Sequence, residues 1–283
     1  MSGFTLVQLT DTHLRPAGEL VHGAVDTDRN LRRVLDQLRG ADRHVDALVL
    51  SGDLADTGAP AAYRRLRALV EPVAAELGAA IVYVMGNHDD RAAFAAELLD
   101  HDPVDPAVPL DQHTEVAGVR ILALDSTTPG RHDGRLEPGQ LDRLVTHLRT
   151  PAPRGTVLVL HHPPLPAAVA TVDALKLSGA DRLAEVVAGS DVRMILCGHN
   201  HLTGAAALAG IPVWIGPALS YRIDPMAPVG RHRGFTGFGY SRIDLVGSTM
   251  LATAIEATPA TPLYDRAEAE VLAQLAALTE RAG

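Results

Sequence analysis

Five apolar, strand-like runs in this 283-residue chain each end in side chains able to bind a metal ion. Leu6-Val7-Gln8-Leu9 leads to Asp11 and His13, Ala47-Leu48-Val49-Leu50 to Gly52-Asp53, and Ile81-Val82-Tyr83-Val84 to Gly86-Asn87-His88-Asp89. Thr156-Val157-Leu158-Val159-Leu160 leads to His161-His162, and Met194-Ile195-Leu196 to Gly198-His199-Asn200-His201. Donors so far apart in sequence can meet only if the strands lie side by side with their carboxyl ends together. That edge of an α/β sheet is where ligands bind.

The segments between these runs fit such a sheet. Alternation of strand-like and helical patterns through the first two thirds predicts βαβ units and a largely parallel central layer. A first helix is expected over 26–39, with Asp26-Thr27-Asp28 as its cap and Leu31, Val34, Leu35 and Leu38 as its apolar stripe. A second fits 60–77, opening on Pro60 and burying Leu66, Leu69, Val70, Val73 and Leu77. Two more fit about 90–100 and 137–149, and Val119–Leu124 reads as another strand ending at Asp125. From about 203 the pattern changes to short strands, Ala205–Leu208, Val213–Ile215, Tyr240–Leu245 and Met250–Ile255. These are expected to pair antiparallel and form a second sheet packed on the first. Segments 163–179 and 220–237 read as loops over the site, and an alanine-rich helix is expected at about 264–281.

Composition narrows the class of protein. With 47% hydrophobic residues the chain can bury a substantial core, and a single domain spanning 1–283 is expected, with its motif core in 3–220. The 25 Lys and Arg against 34 Asp and Glu give a formal net charge of −9, which disfavours nucleic acid as a partner. No run approaches the roughly 18 apolar residues of a membrane span, and the start lacks a cationic, apolar leader. A soluble, cytoplasmic protein is expected. The single cysteine, Cys197, admits no internal disulfide and reads as a buried thiol.

Spacing suggests how the donors group. Asp11 and His13 are two residues apart, so in an extended segment both side chains project to one side; His199 and His201 repeat the arrangement. Asp53 has two carboxylate oxygens with which to bridge. The count closes on two ions: one held by Asp11, His13, His201 and Asp53, the other by Asn87, His161, His199 and the shared Asp53. Nitrogen and oxygen donors without thiolate suit iron, manganese, zinc or cobalt. Two divalent ions, two carboxylates and a hydroxide leave the centre at about +1, suited to a monoanionic phosphodiester. Two-metal sites lower the pKa of bound water toward about 7 and clamp an in-line displacement at phosphorus. Hydroxide attack on a phosphoester is therefore the natural reaction, and His88, next to Asn87, is the candidate acid for the leaving alkoxide.

The series Asp11-x-His13, Gly52-Asp53-x-x-Asp56, Gly86-Asn87-His88-Asp89, His161 and Gly198-His199-x-His201 resembles the calcineurin-like metallophosphoesterase superfamily. More narrowly, Gly23-Ala24-Val25-Asp26-Thr27, Asn87-His88-Asp89-Asp90-Arg91 and His161-His162-Pro163-Pro164 are similar to class III bacterial cyclic nucleotide phosphodiesterases. The resemblance implies a four-layer αββα sandwich of two mixed sheets flanked by helices, an Fe/Mn or similar ion pair, and hydrolysis of 3′,5′-cAMP to 5′-AMP. It further implies a broad phosphodiester side activity and frequent homodimer formation. It favours His161 over His162 as the ligand, and places His132 of the 129–135 loop at the substrate phosphate beside Asn87 and His88.

Other polar residues near the motifs have simpler expected roles. Asp56 reads as a loop or helix cap, Asp89 and Asp90 as helix openers, with Asp89 an alternative partner for a metal-bound imidazole. Asp125 reads as structural or as a support to the site. Rival functions are a glycerophosphodiesterase or phosphomonoesterase on the same fold, since the motifs leave the substrate open, and a non-catalytic interaction module.

Overall fold

A computed structural model describes residues 3–101 and 105–280, of which 276–280 are described by backbone alone. In chain order the first elements are β1 (Phe4–Leu9), α1 (Thr27–Gly40), β2 (Ala47–Ser51), α2 (Pro60–Leu77), β3 (Ala80–Val84) and α3 (Arg91–Leu98). There follow β4 (Gln112–Val116), β5 (Val119–Leu124), β6 (Gly134–Arg135), α4 (Pro138–Leu148), β7 (Thr156–Leu160), α5 (Ala170–Asp173), β8 (Leu177–Ser178), α6 (Ala180–Val187) and β9 (Val192–Cys197). The last third holds β10 (Gly204–Leu208), β11 (Ile211–Ile215), β12 (Arg222–Ile223), β13 (Gly234–Phe235), β14 (Gly239–Val246), β15 (Thr249–Glu256) and α7 (Glu268–Glu280).

The helix starts follow their caps. Asp26 accepts from Arg29 N at 3.0 Å before α1, and Asp90 from Ala93 N at 2.8 Å before α3. Pro60 occupies the first turn of α2, which ends at Gly78 with φ of 69°. In α2, Leu66, Val70 and Val73 are buried as expected, while Leu69 and Leu77 are partly buried against the same core.

Strands alternate their side chains between two cores, which makes four layers. In β2, Ala47 and Val49 join the core between the sheets, while Leu48 and Leu50 join the core beneath α1 and α2. In β7, Val157 and Val159 face the inter-sheet core, whereas Leu158 and Leu160 pack with Leu141, Leu144, Leu183 and Val187 of α4 and α6. Each fully buried aliphatic side chain of this kind contributes about 1.5–3 kcal/mol. The expected αββα sandwich is the architecture found.

The division of strands between the sheets differs from the expected one. One sheet has the order β15-β14-β1-β2-β3 and the other β10-β11-β9-β7-β5-β4. The parallel strands thus split into β1–β2–β3 and β5–β7–β9–β11, and the C-terminal strands do not make a sheet of their own. β14 pairs antiparallel with the free side of β1, and β11 pairs parallel with β9. Each sheet had an open edge, and the late strands cap one apiece. Besides the short elements β6, α5, β8, β12 and β13, two longer ones were not foreseen: β4, whose residues are all half-buried or exposed, and α6, which buries only Leu183 and Val187. The loops 163–179 and 220–237 contain α5 with β8 and the two-residue pair β12–β13. α7 begins at Glu268, and residue 281 of the expected helix lies outside the described residues.

A buried ion pair joins α3 to the end of β5. Arg91 Nη2 lies 2.8 Å from Asp125 Oδ2, both side chains almost without exposure, and Thr127 N and Leu110 N also donate to Asp125 at 2.9 and 3.0 Å. Asp125 is therefore structural: it holds the start of the segment that carries His132. Removing one partner leaves the other charge buried and unpaired, so Asp125→Ala is expected to lower unfolding free energy by about 3–5 kcal/mol, measured by denaturant titration.

Candidate metal centre

Five of the seven candidate ligands adopt a left-handed backbone: Asp11 (φ 53°), His13 (44°), Asp53 (51°), His199 (68°) and His201 (49°). Such conformations cost about 1–3 kcal/mol each outside glycine and persist only where the surroundings impose them. Each residue stands in the segment just after a strand ends. Asp11 N donates to Gly52 O at 3.0 Å and His13 N to Asp53 O at 2.9 Å, which holds the ends of β1 and β2 in step. Thr27 Oγ1, at the start of α1, donates to the His13 carbonyl at 3.0 Å.

Two glycines permit the crowding. Gly52 has φ of 98°, and a Cβ there would run into the His161 imidazole. A Cβ on Gly86 would strike Asp53 at its backbone nitrogen and Oδ1. The Gly-Asp and Gly-Asn-His motifs thus have a steric basis: the residue before each donor touches a donor from another strand.

The structure brings the candidates into two adjoining groups. Donor atoms of Asp11, His13, Asp53 and His201, all buried, lie within 4.8 Å of one another, as do those of Asp53, His161 and His199. Asp53 is common to both. Its Oδ2 is 3.5 Å from His13 Nε2 and 3.3 Å from His161 Nε2, while Oδ1 accepts from His88 N at 2.9 Å.

Backbone carbonyls and carboxylates hold the far side of each imidazole. Nδ1 of His161 donates to Ser51 O at 2.9 Å and Nδ1 of His201 to Tyr221 O at 2.9 Å. His13 Nδ1 meets Asp56 Oδ1 at 2.9 Å, and Arg15 Nε donates to the other oxygen of Asp56 at 2.6 Å. This leaves Nε2 of all three rings directed at the carboxylates, an arrangement that fixes tautomer and orientation. His199 differs: its Nε2 donates to Leu175 O at 3.0 Å, leaving Nδ1 for the cluster.

Asn87 lines the same cleft as Asp53 and His199. Its Nδ2 donates to His132 Nδ1 at 3.1 Å, while its Oδ1 is buried without a hydrogen bond. His161 Nε2 is likewise buried and makes no hydrogen bond. Orphaned buried polar atoms cost about 1–3 kcal/mol each. These two are an amide oxygen and an imidazole nitrogen, the donor types that a transition-metal ion accepts, so the residues fit such a group.

The titration behaviour reflects the same field. Burial alone would depress His161, but the charge of Asp53 overrides it and raises the pKa to about 9. Burial opposes ionisation of Asp53 as well, yet His161 and His13 hold it well below the ordinary carboxylate value. His201 and His199 are pushed down by burial, the former to about 4. A pocket that keeps a buried imidazole charged is one that favours a cation.

Several neighbours have roles other than those expected. Asp56 caps no helix, since the residue before α2 is Ala59; it orients His13. Asp89 touches no imidazole and Asp90 alone caps α3. The Asp89 carboxylate gathers Leu54 N, Ala55 N, Gly86 N and Tyr63 Oη at 2.9–3.1 Å, clamping the segment after Asp53 to that before Asn87. His162 is fully buried behind the 129–135 loop, taking Ser126 Oγ at 2.8 Å on Nδ1 and donating from Nε2 to the His132 carbonyl at 3.2 Å. Cys197 is buried and free.

His88 and His132 line a cleft of about 310 Å³ over the donor cluster. The Nδ1 of His88 donates to Asp56 O at 2.8 Å, and the two rings lie 5.7 Å apart. Tyr221, which no motif pointed to, lies with its ring 4.2 Å from that of His201 and lines the same cleft. Its position beyond the last motif left it without a signal in the sequence.

Among solved structures, the chain is similar in fold to a dimetal phosphatase from Danio rerio, with a TM-score of 0.63 over 90% of this chain and 96% of that one at 14% identity. It is 45% identical over 234 residues to a cAMP/cGMP dual specificity phosphodiesterase of Mycobacterium tuberculosis (strain CDC 1551 / Oshkosh), covering 83% of this chain and 73% of the relative. A probable cyclic nucleotide phosphodiesterase of Rhodococcus erythropolis (strain PR4 / NBRC 100887) is 46% identical over 232 residues, 82% of this chain and 76% of that relative. Residues 4–202 match the model of the calcineurin-like phosphoesterase family, and with the strand-end donor cluster falling inside that span, the chain belongs to this family.

Proposed function

We propose that this protein is a dinuclear metal-dependent phosphodiesterase that hydrolyses 3′,5′-cyclic nucleotides such as cAMP to 5′-nucleotides. The observation that carries the reading is Asp53, whose Oδ2 stands between imidazole nitrogens of two donor groups at 3.5 and 3.3 Å. Similarity to relatives described as cyclic nucleotide phosphodiesterases supports the substrate class.

In this reading Asp11, His13, Asp53 and His201 hold one ion, and Asp53, Asn87, His161 and His199 the other. Iron and manganese are the assigned pair, with zinc or cobalt as substitutes of similar ligand preference. When bound, the ions supply hydroxide at neutral pH and positive charge against the phosphoryl oxygens. The chain's own side chains do the rest. Asn87 is oriented by His132, which accepts from its amide and thereby turns Oδ1 inward. His132 and His88 face the cleft where the phosphodiester would lie. With Nδ1 engaged by the Asp56 carbonyl, His88 has Nε2 left to protonate the departing ribose oxygen. The buried, free Cys197 and a chain without a described membrane-crossing helix accord with a cytoplasmic setting.

The Mn²⁺-loaded protein is expected to hydrolyse cAMP, cGMP, 2′,3′-cAMP or bis(p-nitrophenyl) phosphate in steady-state assays, and Asp53→Ala to lose both metal and turnover. Inertness of the wild-type protein toward every diester would sink the reading. Preference for glycerophosphodiesters or monoesters would transfer it to the alternative activity on this fold. Elemental analysis of protein purified without added metal identifies the ions.

His88→Ala should keep its metal content and lose about 10²- to 10⁴-fold in kcat, the range for a positioned acid; wild-type turnover would remove that role. Asp56→Asn is expected to weaken metal affinity about 10- to 100-fold, read by chelator competition, because it loosens the His13 ring without removing a donor.

A further inference from the structure

The residue after His161 is a second imidazole, fully buried and with both ring nitrogens engaged. His162 Nε2 meets the His132 carbonyl at 3.2 Å and Nδ1 meets Ser126 Oγ at 2.8 Å. A carbonyl can only accept, which puts the ring proton on Nε2 and leaves Nδ1 to take the serine hydroxyl. A neutral imidazole has one donor and one acceptor, so nothing remains for an ion. A polar ring buried this completely acts through the groups it touches.

Those groups lie on one side of the centre. The ring stands edge-on to His161, with centroids 5.1 Å apart at 83°, and 4.5 Å from the ring of His199. Through the His132 carbonyl it holds the residue whose own ring accepts from the Asn87 amide. Gly134 packs so closely against it that a Cβ there would collide with the imidazole. Gly134 opens β6, which pairs with β8, and just before β8 the Leu175 carbonyl accepts from His199 Nε2 at 3.0 Å.

Supports of Asn87, His161 and His199 thus converge on one ring. Among the described residues, its hydrogen bonds and ring contacts include none to Asp11, His13 or His201. The other group is braced elsewhere, His13 by the Asp56 carboxylate and His201 by the Tyr221 carbonyl.

We infer that His162 is a positioning residue for one of the two ions only: it sets the geometry of Asn87, His161 and His199 and leaves that of Asp11, His13 and His201 alone. The inference rests on the two-ion reading above and adds to it that donor groups sharing Asp53 are held by independent sets of contacts. An outer partner of a metal ligand is worth about 10- to 100-fold in metal affinity. With separate braces that loss falls on one equivalent of metal. Losses in two separate networks add, whereas losses within one network do not.

The test is withdrawal of Mn²⁺ from the loaded protein by a competing chelator, measured for the wild type, His162→Phe, His162→Gln, Asp56→Asn and the double variant His162→Phe/Asp56→Asn. The wild type should hold two equivalents. His162→Phe keeps the bulk of the ring and loses both hydrogen bonds; it should weaken one equivalent about 10- to 100-fold and leave the other within about 2-fold. His162→Gln, whose amide can still donate to the His132 carbonyl, should recover most of that loss. The double variant should weaken both equivalents, because Asp56 supports His13 in the other group. Ser126→Ala removes only the hydroxyl on Nδ1; it should weaken one equivalent by itself and both when combined with Asp56→Asn, and it decides alone if His162→Phe does not fold. Equal weakening of both equivalents by a single variant, no weakening of either, a glutamine no better than phenylalanine, or a double variant that keeps one tight ion overturns the inference and leaves the two-ion reading in place. If the wild type holds fewer than two ions, that reading falls and the inference falls with it.

Discussion

Two buried carboxylates and four imidazoles share one small volume at the meeting of two sheets, and Asp53 stands at its middle. Charges buried together are costly unless each finds a partner. Asp53 is balanced in part by His161, whose proton its charge holds against burial, and by His13, whose proton is held first by the hydrogen bond to Asp56 and then by the charge of Asp53. Yet Asn87 Oδ1 and His161 Nε2 stay without hydrogen bonds, so the protein's own groups do not complete the balance. The missing element is positive charge. The whole strand-end apparatus makes sense as a receptor for it.

That demand propagates outward. To bring five strand ends within reach, the chain adopts left-handed turns at five donor positions and uses Gly52 and Gly86 where a Cβ would collide with another donor. Around this lies a shell of groups that hold the candidate donors: Asp56 behind His13, Ser51 O behind His161, Tyr221 O behind His201, and the Asp89 carboxylate across three backbone amides. Farther out, the Arg91–Asp125 pair and the His162–His132 bond fix the loop that orients Asn87. Stability and chemistry are coupled here, because the same contacts that satisfy buried backbone groups also aim the donors.

Much of this was legible before any fold was known. The helices opening at Asp26, Pro60 and Asp90 were readable because capping and i, i+3, i+4 periodicity are local properties of the chain. The donor residues were readable because each stands just after an apolar run, and three of them, Asp53, Asn87 and His199, follow a glycine. The partition of strands was not, since an alternating strand pairs equally well with either open edge; β14 chose β1 and β11 chose β9 through contacts remote in sequence. The roles of Asp56, Asp89 and His162 escaped for a related reason. A carboxylate or imidazole beside a motif looks the same whether it faces an ion, a ring or a backbone amide.

The sequence by itself determined which residue types end the strands and where the helices begin, and hence that oxygen and imidazole donors gather at the carboxyl ends of the strands, because those properties depend on neighbours within a few residues. Only the tertiary structure decided that Asp56 and the backbone carbonyls hold the rings from behind, that the Asp89 carboxylate clamps the segments beside Asp53 and Asn87, and that Tyr221 lines the cleft against His201. Those facts depend on which distant segments touch, and packing of two sheets around a shared core is what brings them together.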